Sequence, residues 1–245
     1  MFAAGCQQPI VDYNDFVYKD SRDPLVLRGI MKHKLMKRCW QDSRDFYYMD
    51  SGYFGNQPNE LNPNGWKLWH RIVPNNLQHG DIIERPNDRW EAMKIKLKNW
   101  RKTGKEILVV LPDEKPCKFY GIDLASWAIE TVDTIKKYTD RPVVVRERDP
   151  DRQNRQSFPD ALKNAFAVVT FNSNAATESI MNGIPAFVMA PCHAAMPVTL
   201  QDLSQIEKPY YPSKDLVYKW ACHLAYGQFH IDELKSGQAK AILES

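Results

Sequence analysis

The chain of 245 residues is 43% hydrophobic and 26% charged, which excludes long disorder and is typical of a folded soluble protein with one large domain or two small ones. Its formal net charge of +3 excludes an overall field strong enough to hold it on nucleic acid. No apolar run approaches the roughly 20 residues that span a bilayer, and the first residues lack the pattern of a signal peptide. We therefore expect a cytoplasmic protein without a membrane partner.

The first half of the chain predicts a βαβ unit. The segment PLVLRGI, residues 24–30, predicts a strand, and a helix is expected from Met31 to Trp40. The aromatic segment RDFYYMDSGYFGN, residues 44–56, predicts a second strand that ends in a Gly-rich turn. After a loop, WKLWHRIV alternates large apolar and polar residues as a half-buried strand does. Apolar residues then recur at helical spacing from Arg89 to Arg101, which predicts a helix that connects two halves of the protein.

The second half predicts a regular alternation of strands and helices. EILVVLP, residues 106–112, and RPVVVRER, residues 141–148, are predicted strands. Between them we expect a helix capped by Asp123 or Ser126 with one apolar stripe, and a short helix FPDALKNA comes after the second strand. Parallel strands crossed by helices in this order are typical of a doubly wound sheet.

The segment AFAVVTFNSNAATESIMNGIPAFVMA, residues 165–190, predicts a buried strand, a polar turn, a short helix and a further strand. Backbone N–H groups at such a corner, beyond the carboxyl end of a parallel strand, favour the binding of diphosphates. In this interpretation the Glu in the first turns of the helix accepts from ribose hydroxyls. A capped helix without a ligand explains the local pattern equally well. The donor-binding residues predicted here are Asn172, Ser173, Asn174, Thr177 and Glu178.

Two neighbouring segments predict further contacts with the same ligand. Arg146 and Arg148 lie at the end of the strand VVVRER, and arginine is suited to forked contacts with phosphate. Internal pairing with the adjacent acidic residues is the alternative. His193 follows the strand IPAFVM and is expected to reach the same crevice, or else to have a structural role.

In the first half, Asp50 is the candidate general base. It ends an aromatic strand beside Gly52, where a carboxylate would accept a proton from an acceptor hydroxyl. An ordinary turn cap is the alternative for this carboxylate. The residues predicted to bind the acceptor are Arg28, Gly52, Tyr53 and Asn56.

Metal and disulfide sites have little support in the sequence. The five cysteines are widely scattered and never form a C-x-x-C pair, which favours reduced structural thiols. No H-x-x-x-H sequence occurs, and the D-x-D triplet at residues 149–151 lies in a basic segment. We expect neither a metal nor another cofactor.

Several segments resemble the two-lobed GT-B class of glycosyltransferases, and more narrowly the small glycosyltransferase-like proteins of tailed bacteriophages. They are PLVLRGI, FYYMDSGYFGN, RPVVVRERDP, VVTFNSNAATESIMNGIPAF and WACHLAYGQFHIDELKSGQA. The corner is also similar to that of capsule-polysaccharide transferases, in which S-x-x-x-x-E-[AS]-x-x-x-G-x-P binds the nucleotide part of the donor. Ser173, Glu178, Gly183 and Pro185 match this pattern with one adjusted spacing. The His-Pro element of those enzymes is replaced here by Arg-Asp-Pro, and the chain is shorter than typical members.

The resemblance implies an α/β fold with two Rossmann-like lobes, the first abbreviated. Residues 1–100 would form the acceptor-side lobe and residues 101–210 the lobe that binds a nucleotide sugar. Two helices in residues 211–245, expected at Lys214–Ala225 and Asp232–Leu243, would pack back across both lobes. The implied activity is a metal-independent glycosyltransferase that moves a sugar from a nucleotide-diphosphate sugar to a hydroxyl acceptor.

The acceptor stays open at this stage. A hydroxymethylated base in double-stranded phage DNA, modified in the host cytoplasm, is one candidate, and the basic runs at residues 32–38 and 94–105 would then line the duplex. A glycan or a small molecule explains the modest net charge equally well. The rival hypothesis is a non-catalytic nucleotide-binding protein with a degenerate GT-B fold.

Overall fold

The structure is a computed structural model that describes residues 1–19, 21–30, 33–147 and 157–244. The chain divides into two compact units, which we call unit 1 and unit 2. Unit 1 contains Met1–His79, Glu84–Ile95 and Cys222–Ser245, and unit 2 contains Gly80–Ile83 and Lys96–Ala221.

Strands and helices alternate along most of the described chain, as expected for an α/β protein. In chain order the elements are α1 (Phe2–Gly5), β1 (Leu25–Arg28), α2 (His33–Gln41), β2 (Phe46–Ser51), β3 (Trp69–Pro74), α3 (Asp88–Ala92), β4 (Glu106–Val110), α4 (Glu114–Tyr120), α5 (Leu124–Lys136), β5 (Val143–Arg146), α6 (Phe158–Ala161), β6 (Ala165–Thr170), α7 (Ala175–Met181), β7 (Ala186–Val188), α8 (Lys214–Tyr226), β8 (Gln228–His230), α9 (Ile231–Ser236) and α10 (Gln238–Leu243).

Unit 1 is built on a mixed sheet with the strand order β1-β2-β3-β8. The predicted βαβ unit is confirmed, because β1 and β2 are parallel and α2 connects them. Both β3 and β8 are antiparallel to their neighbours, however. The first sheet therefore departs from the all-parallel sheet of a Rossmann-like lobe.

Gln228 joins β8 to the turn that follows β2. Its side chain is fully buried, and its amide oxygen accepts from the backbone N–H groups of Tyr53 (2.7 Å) and Phe54 (3.2 Å). The amide nitrogen donates to the carbonyl of Phe54 at 3.1 Å and contacts the sulfur of Met93 at 3.5 Å. One buried side chain thus satisfies backbone groups that would otherwise lack partners away from water.

Unit 2 is built on a fully parallel sheet with the strand order β5-β4-β6-β7. Every residue of β6 is buried, which is typical of a strand covered by helices on both faces. Ile107, Val109, Ile135, Phe166 and Phe187 lie in its core cluster, with helix α5 packed on the sheet. The doubly wound pattern predicted for the second half is confirmed here.

The helix predicted for residues 89–101 is wrong beyond its first turns. Helix α3 ends at Ala92, and Lys94 has a positive φ of 54°. Further on, the backbone N–H groups of Lys98 and Arg101 donate to the carbonyls of Met181 (3.0 Å) and Gly183 (2.8 Å). These backbone N–H groups donate to a distant part of the chain and not to the i−4 carbonyls of a helix. The helical spacing of apolar residues was therefore misleading here.

The C-terminal prediction was correct in type but not in number. Helix α8 ends at Tyr226, one residue beyond the predicted end. The single helix expected from Asp232 to Leu243 is divided into α9 and α10, because Gly237 adopts a left-handed conformation with φ 85°.

Candidate functional site

In unit 2, the predicted corner lies at the point where the order of the sheet reverses. The chain passes from β4 outward to β5, then returns to the other side of β4 to form β6 and β7. Ligands of open parallel sheets bind outside the carboxyl ends of the strands at such a switch point. The hydroxyl of Thr170 donates to the carbonyl of Val110 at 2.8 Å, so the carboxyl ends of β6 and β4 are directly tied together.

The turn between β6 and α7 is ordered by its own polar groups. Asn172, Ser173 and Asn174 are half-buried, and the Ser173 hydroxyl accepts from the backbone N–H of Ala175 at 3.3 Å. Asn174 occupies the cap position, but its side chain does not cap the helix. The sequence correctly predicted a helix that starts directly after this turn.

Thr177 is the most unusual of the predicted donor-binding residues. Its side chain is fully buried, and its hydroxyl has no hydrogen-bond partner among the described residues. A buried hydroxyl without a partner costs free energy, so such a group needs a specific explanation.

His193 lies against the same turn but is committed to the backbone. The N–H of Ala195 donates to its Nδ1 at 2.9 Å, which leaves Nε2 as the protonated nitrogen, and Nε2 lies 3.1 Å from the carbonyl oxygen of Ser173. The side chain is only 1% exposed. The structure brings the His193 imidazole against the backbone of Ser173 in this turn.

The remaining predicted donor contacts are spread along the same edge of the sheet. Glu178 is half-buried in the first turn of α7, and its backbone N–H donates to the carbonyl of Asn174 at 3.0 Å. Arg146 ends β5, separated from β6 by β4, with its guanidinium carbon 5.8 Å from the ring centre of Phe158. Arg148 lies outside the described residues.

In unit 1, Asp50 is held by three different donors. Its Oδ2 accepts from the hydroxyl of Tyr48 at 2.6 Å and from Nη2 of Arg71 at 3.3 Å. Its Oδ1 accepts from the backbone N–H of Ser51 at 2.8 Å. The Asp50 side chain is 38% exposed, whereas that of Arg71 is 8% exposed. A carboxylate that reaches solvent is therefore backed by a buried guanidinium.

These contacts govern the ionisation of Asp50. Burial raises the pKa of its carboxyl, but the charge of Arg71, the hydroxyl of Tyr48 and the N–H of Ser51 together outweigh burial and lower that pKa. Burial and the adjacent carboxylate raise the pKa of the Tyr48 phenol. Asp50 is thus the anion and Tyr48 the neutral donor at neutral pH.

An aromatic and imidazole group lies next to Arg71, in which Tyr53 and His223 are buried and His79 is half-buried. Arg71 has its guanidinium carbon 5.3 Å from the ring centre of Tyr53, and the hydroxyl of Tyr53 lies 2.9 Å from Nδ1 of His79. The rings of His79 and His223 are in edge contact with centres 5.5 Å apart. Burial, with the nearby His223 and Arg71, lowers the pKa of His79 to about 3.

The residues predicted to bind the acceptor are mostly engaged within unit 1. The side-chain amide of Asn56 donates to the carbonyl of Trp69 and accepts from its N–H, both at 2.9 Å. Tyr53 is only 2% exposed, and a Cβ on Gly52 would meet Trp69 and Gln228 at 2.9–3.0 Å. These three residues therefore shape the turn after β2.

Arg28 is exposed at the carboxyl end of β1, where it aligns with Met49. Side chains alternate between the faces of a strand, so Met49 and Asp50 leave opposite faces of the sheet. Register thus places Arg28 on the face opposite to Asp50.

Sequence reasoning missed Arg71, His79 and Gln228, which surround Asp50 and the turn after it. A signal for Arg71 did exist, since it is the charged residue in the apolar strand WHRIV, and buried charges are normally paired. Gln228 left no such signal, because its partners are about 175 residues away in the chain.

The described residues contain neither a membrane-spanning helix nor a cluster of metal-ligating side chains. None of their helices is long and apolar enough to cross a membrane. Within the same ranges, no group of three or more His, Cys, Asp and Glu side chains is arranged to hold a metal ion.

No protein-family model matches the chain, and no curated protein matches it either. Among solved structures, 17 chains match, and the α/β fold of this chain is similar to that of a glycosyltransferase among them. One of them is KpsC from Thermosulfurimonas dismutans, a beta Kdo 2,4 transferase, with a TM-score of 0.51 and 11% sequence identity. The match covers 89% of this chain and 86% of that one. Since unit 2 holds only about half of the residues, the similarity includes parts of both units. At 11% identity it concerns the fold.

Proposed function

We propose that this protein is a glycosyltransferase of the GT-B class that moves a sugar from a nucleotide-activated donor to a hydroxyl acceptor. The observation that carries the proposal is the fold similarity to a sugar transferase over most of both chains. A fold alone hosts many functions, so the proposal also depends on the chemistry of particular residues.

The proposed donor site is the crevice outside the carboxyl ends of β4 and β6 in unit 2. Three features support it: the switch point of the parallel sheet, the polar turn at residues 172–174 and the buried hydroxyl of Thr177 without a partner. We propose that the turn contacts the phosphate groups and that Glu178 accepts from ribose hydroxyls. His193 supports this turn through the Ser173 carbonyl.

Stabilisation of the leaving phosphate is assigned to arginine. Arg146 ends a strand at the same edge of the sheet, and Arg148 is two residues further along the chain. Guanidinium groups neutralise the charge that develops on a departing phosphate, which would allow transfer without a metal. A nucleoside diphosphate is the proposed leaving group.

Asp50 in unit 1 is the proposed general base. As the acceptor oxygen bonds to the anomeric carbon, the bond between that carbon and the phosphate oxygen breaks, and its electron pair leaves with the nucleotide. The proton of the acceptor hydroxyl moves to the Asp50 carboxylate. The exposed part of Asp50 and its anionic state support this role.

The proposed acceptor is a saccharide hydroxyl, because the similar structure is that of a beta Kdo 2,4 transferase. A hydroxymethylated base in phage DNA is the competing acceptor. Exposed lysines on α2 fit a phosphate backbone, but they are equally typical of a solvated helix face.

The test is a transfer assay with purified protein, nucleoside monophosphate and diphosphate sugars, and two acceptor sets: oligosaccharides and hydroxymethylated duplex DNA. The expected result is an acceptor heavier by one glycosyl residue, with one nucleotide released per transfer, as measured by mass spectrometry. A nucleotide that raises the melting temperature without transfer to any acceptor would identify a non-catalytic binding protein instead.

Two matched pairs of variants assign the residues. Asp50→Asn should reduce transfer by about 10²–10⁴-fold and leave the nucleotide-induced thermal shift intact, whereas Asp133→Asn on exposed α5 should change neither. Glu178→Gln should weaken the thermal shift, and Glu130→Gln, also exposed on α5, should not. Equal effects within a pair would contradict the assignment.

A further inference from the structure

Arg71 is a buried charged residue at a position that an apolar side chain of similar volume could fill. Its side chain is 8% exposed, and its Nε has no hydrogen-bond partner among the described residues. Burial of a guanidinium carries a desolvation cost that an apolar side chain of similar volume avoids. Stability of the β2–β3 pair therefore does not explain the presence of an arginine.

Within the described part of the chain, the guanidinium contacts lie on β2 and on the turn that follows it. Nη1 donates to the carbonyl of Ser51 at 2.8 Å, and Nη2 donates to Oδ2 of Asp50 at 3.3 Å. The rings of Tyr48 and Tyr53 flank it, with centres 5.8 Å and 5.3 Å from the guanidinium carbon. Arg71 is thus fixed in position and holds one oxygen of Asp50.

The two carboxylate oxygens are used unequally. Oδ2 accepts from both Tyr48 and Arg71, whereas Oδ1 accepts, among the described residues, from the N–H of Ser51 alone. Since the side chain is 38% exposed, Oδ1 retains a lone pair that a hydroxyl can approach from solvent.

We propose that Arg71 is a positioning residue: with Tyr48, it fixes the Asp50 carboxylate as an anion that receives the acceptor hydroxyl at Oδ1. This inference deepens the proposed function and depends on it for the catalytic role of Asp50. When the acceptor oxygen bonds to the anomeric carbon, its proton goes to Oδ1, while Oδ2 stays bound to Arg71 and Tyr48.

The charged and titratable groups that act on Asp50 come from its own strand and from the β3 segment. Tyr48 lies on β2, Arg71 lies on β3, and Lys67 just before β3 adds a weaker attraction. Burial lowers the pKa of His70, also on β3, and the charge of Asp50 acts in the opposite direction on that pKa. Arg71 is the largest favourable contribution to the anion.

The test combines an NMR titration with kinetics. The Asp50 carboxyl is followed by ¹³C NMR, assigned by its loss in Asp50→Asn, in the wild type and in Arg71→Met, Arg71→Lys and Tyr48→Phe. We expect Arg71→Met to raise the pKa of Asp50 by at least about one unit, which is a tenfold change in proton affinity. Tyr48→Phe should raise it less, and Arg71→Lys should restore part of the difference.

In the transfer assay, the acid limb of the pH profile should move upward by the same amount. Arg71→Met should lower kcat by about 100-fold through misplacement of the base, with the KM of the nucleotide donor unchanged. Lys163→Met, which breaks an exposed 2.7 Å pair with Asp160 in unit 2, serves as the matched control and should leave kcat unchanged.

The outcomes separate the two proposals. Folded Arg71 variants with an unmoved pKa of Asp50 and an unmoved acid limb would overturn the inference. A wild-type protein without transfer to any acceptor would overturn the proposed function, and the NMR titration would then decide by itself whether Arg71 fixes the anion. If Arg71→Met does not fold, Arg71→Lys and Tyr48→Phe, which preserve the packing, decide the question.

Discussion

Unit 1 and unit 2 both contain a four-stranded sheet, but they are held together in different ways. Unit 2 comes almost entirely from the continuous run of residues 96–221, and its parallel sheet is an apolar core. Unit 1 comes from three separate parts of the chain, and a buried glutamine and a buried arginine connect its strands. The stability of unit 2 therefore depends on close packing of apolar side chains, and that of unit 1 depends on particular hydrogen bonds.

The largest effect is expected for Gln228→Ala in unit 1. The substitution removes the acceptor of the Tyr53 and Phe54 N–H groups and the donor to the Phe54 carbonyl, and it opens a cavity. We expect a loss of about 3–5 kcal/mol in the free energy of unfolding. Hydrogen exchange should locate the loss in β3 and β8. Exposed Gln238→Ala is the control, and a comparable loss there, or an unchanged β3, would break the comparison.

The next effect tests whether unit 2 depends on close packing. Gly183 has φ 73°, and a Cβ there would lie 2.0 Å from the carbonyl oxygen of Asn99. Gly183→Ala should therefore cost about 3 kcal/mol or more, by strain and by displacement of backbone. Gly121 has a similar φ of 68° with nothing within 4 Å, so Gly121→Ala should cost only about 1 kcal/mol. Equal losses in urea unfolding would contradict the packing argument.

An intermediate effect is expected on the stability of unit 1 when the pH is lowered. The pKa of His79 in the folded protein is about 3, well below its unfolded value, so its contribution is fully present above about pH 6.5 and is lost as the pH falls towards 3. We expect unit 1 to lose about 2 kcal/mol between pH 7.5 and pH 5. His79→Asn keeps an acceptor for the Tyr53 hydroxyl without titrating, so its unfolding curve should be flatter. If the unfolding free energies of the wild type and of His79→Asn fall equally with pH, His79 is not the cause of the acid destabilisation.

The smallest effect is a conservative change in the core of unit 2. Ile107 is fully buried in β4, and Ile107→Val should cost about 1 kcal/mol, with the loss confined to unit 2 by hydrogen exchange. A loss comparable to that of Gln228→Ala would show that the two units respond alike.

The same contrast explains how much the sequence could reveal. The strands and helices of unit 2 follow each other along the chain, so local periodicity and caps such as Asp123 predicted most of them correctly. Helix α4 was not predicted, and its Pro116 lies in the first turn, where proline is tolerated. Strand β8 was missed because three residues carry no usable period, and its role comes from pairing with distant β3.

The candidate site divides along similar lines. The corner at residues 172–174 was recognisable because turn, cap and helix are adjacent in sequence. The surroundings of Asp50 were not, since Arg71 lies 21 residues away and meets it through antiparallel register. Two-residue periodicity indicates which face a side chain occupies, but it does not identify the partner strand.

The place of β8 in the sheet has a consequence for the order of events during synthesis. All residues of unit 2 are present in the chain by residue 221, whereas β3 has no β8 to pair with until residues 228–230 have been added. During that interval the outer edge of β3 exposes unpaired N–H and C=O groups, which are a template for association with other chains. Chains truncated between these points should therefore aggregate through unit 1, although they contain all residues of unit 2.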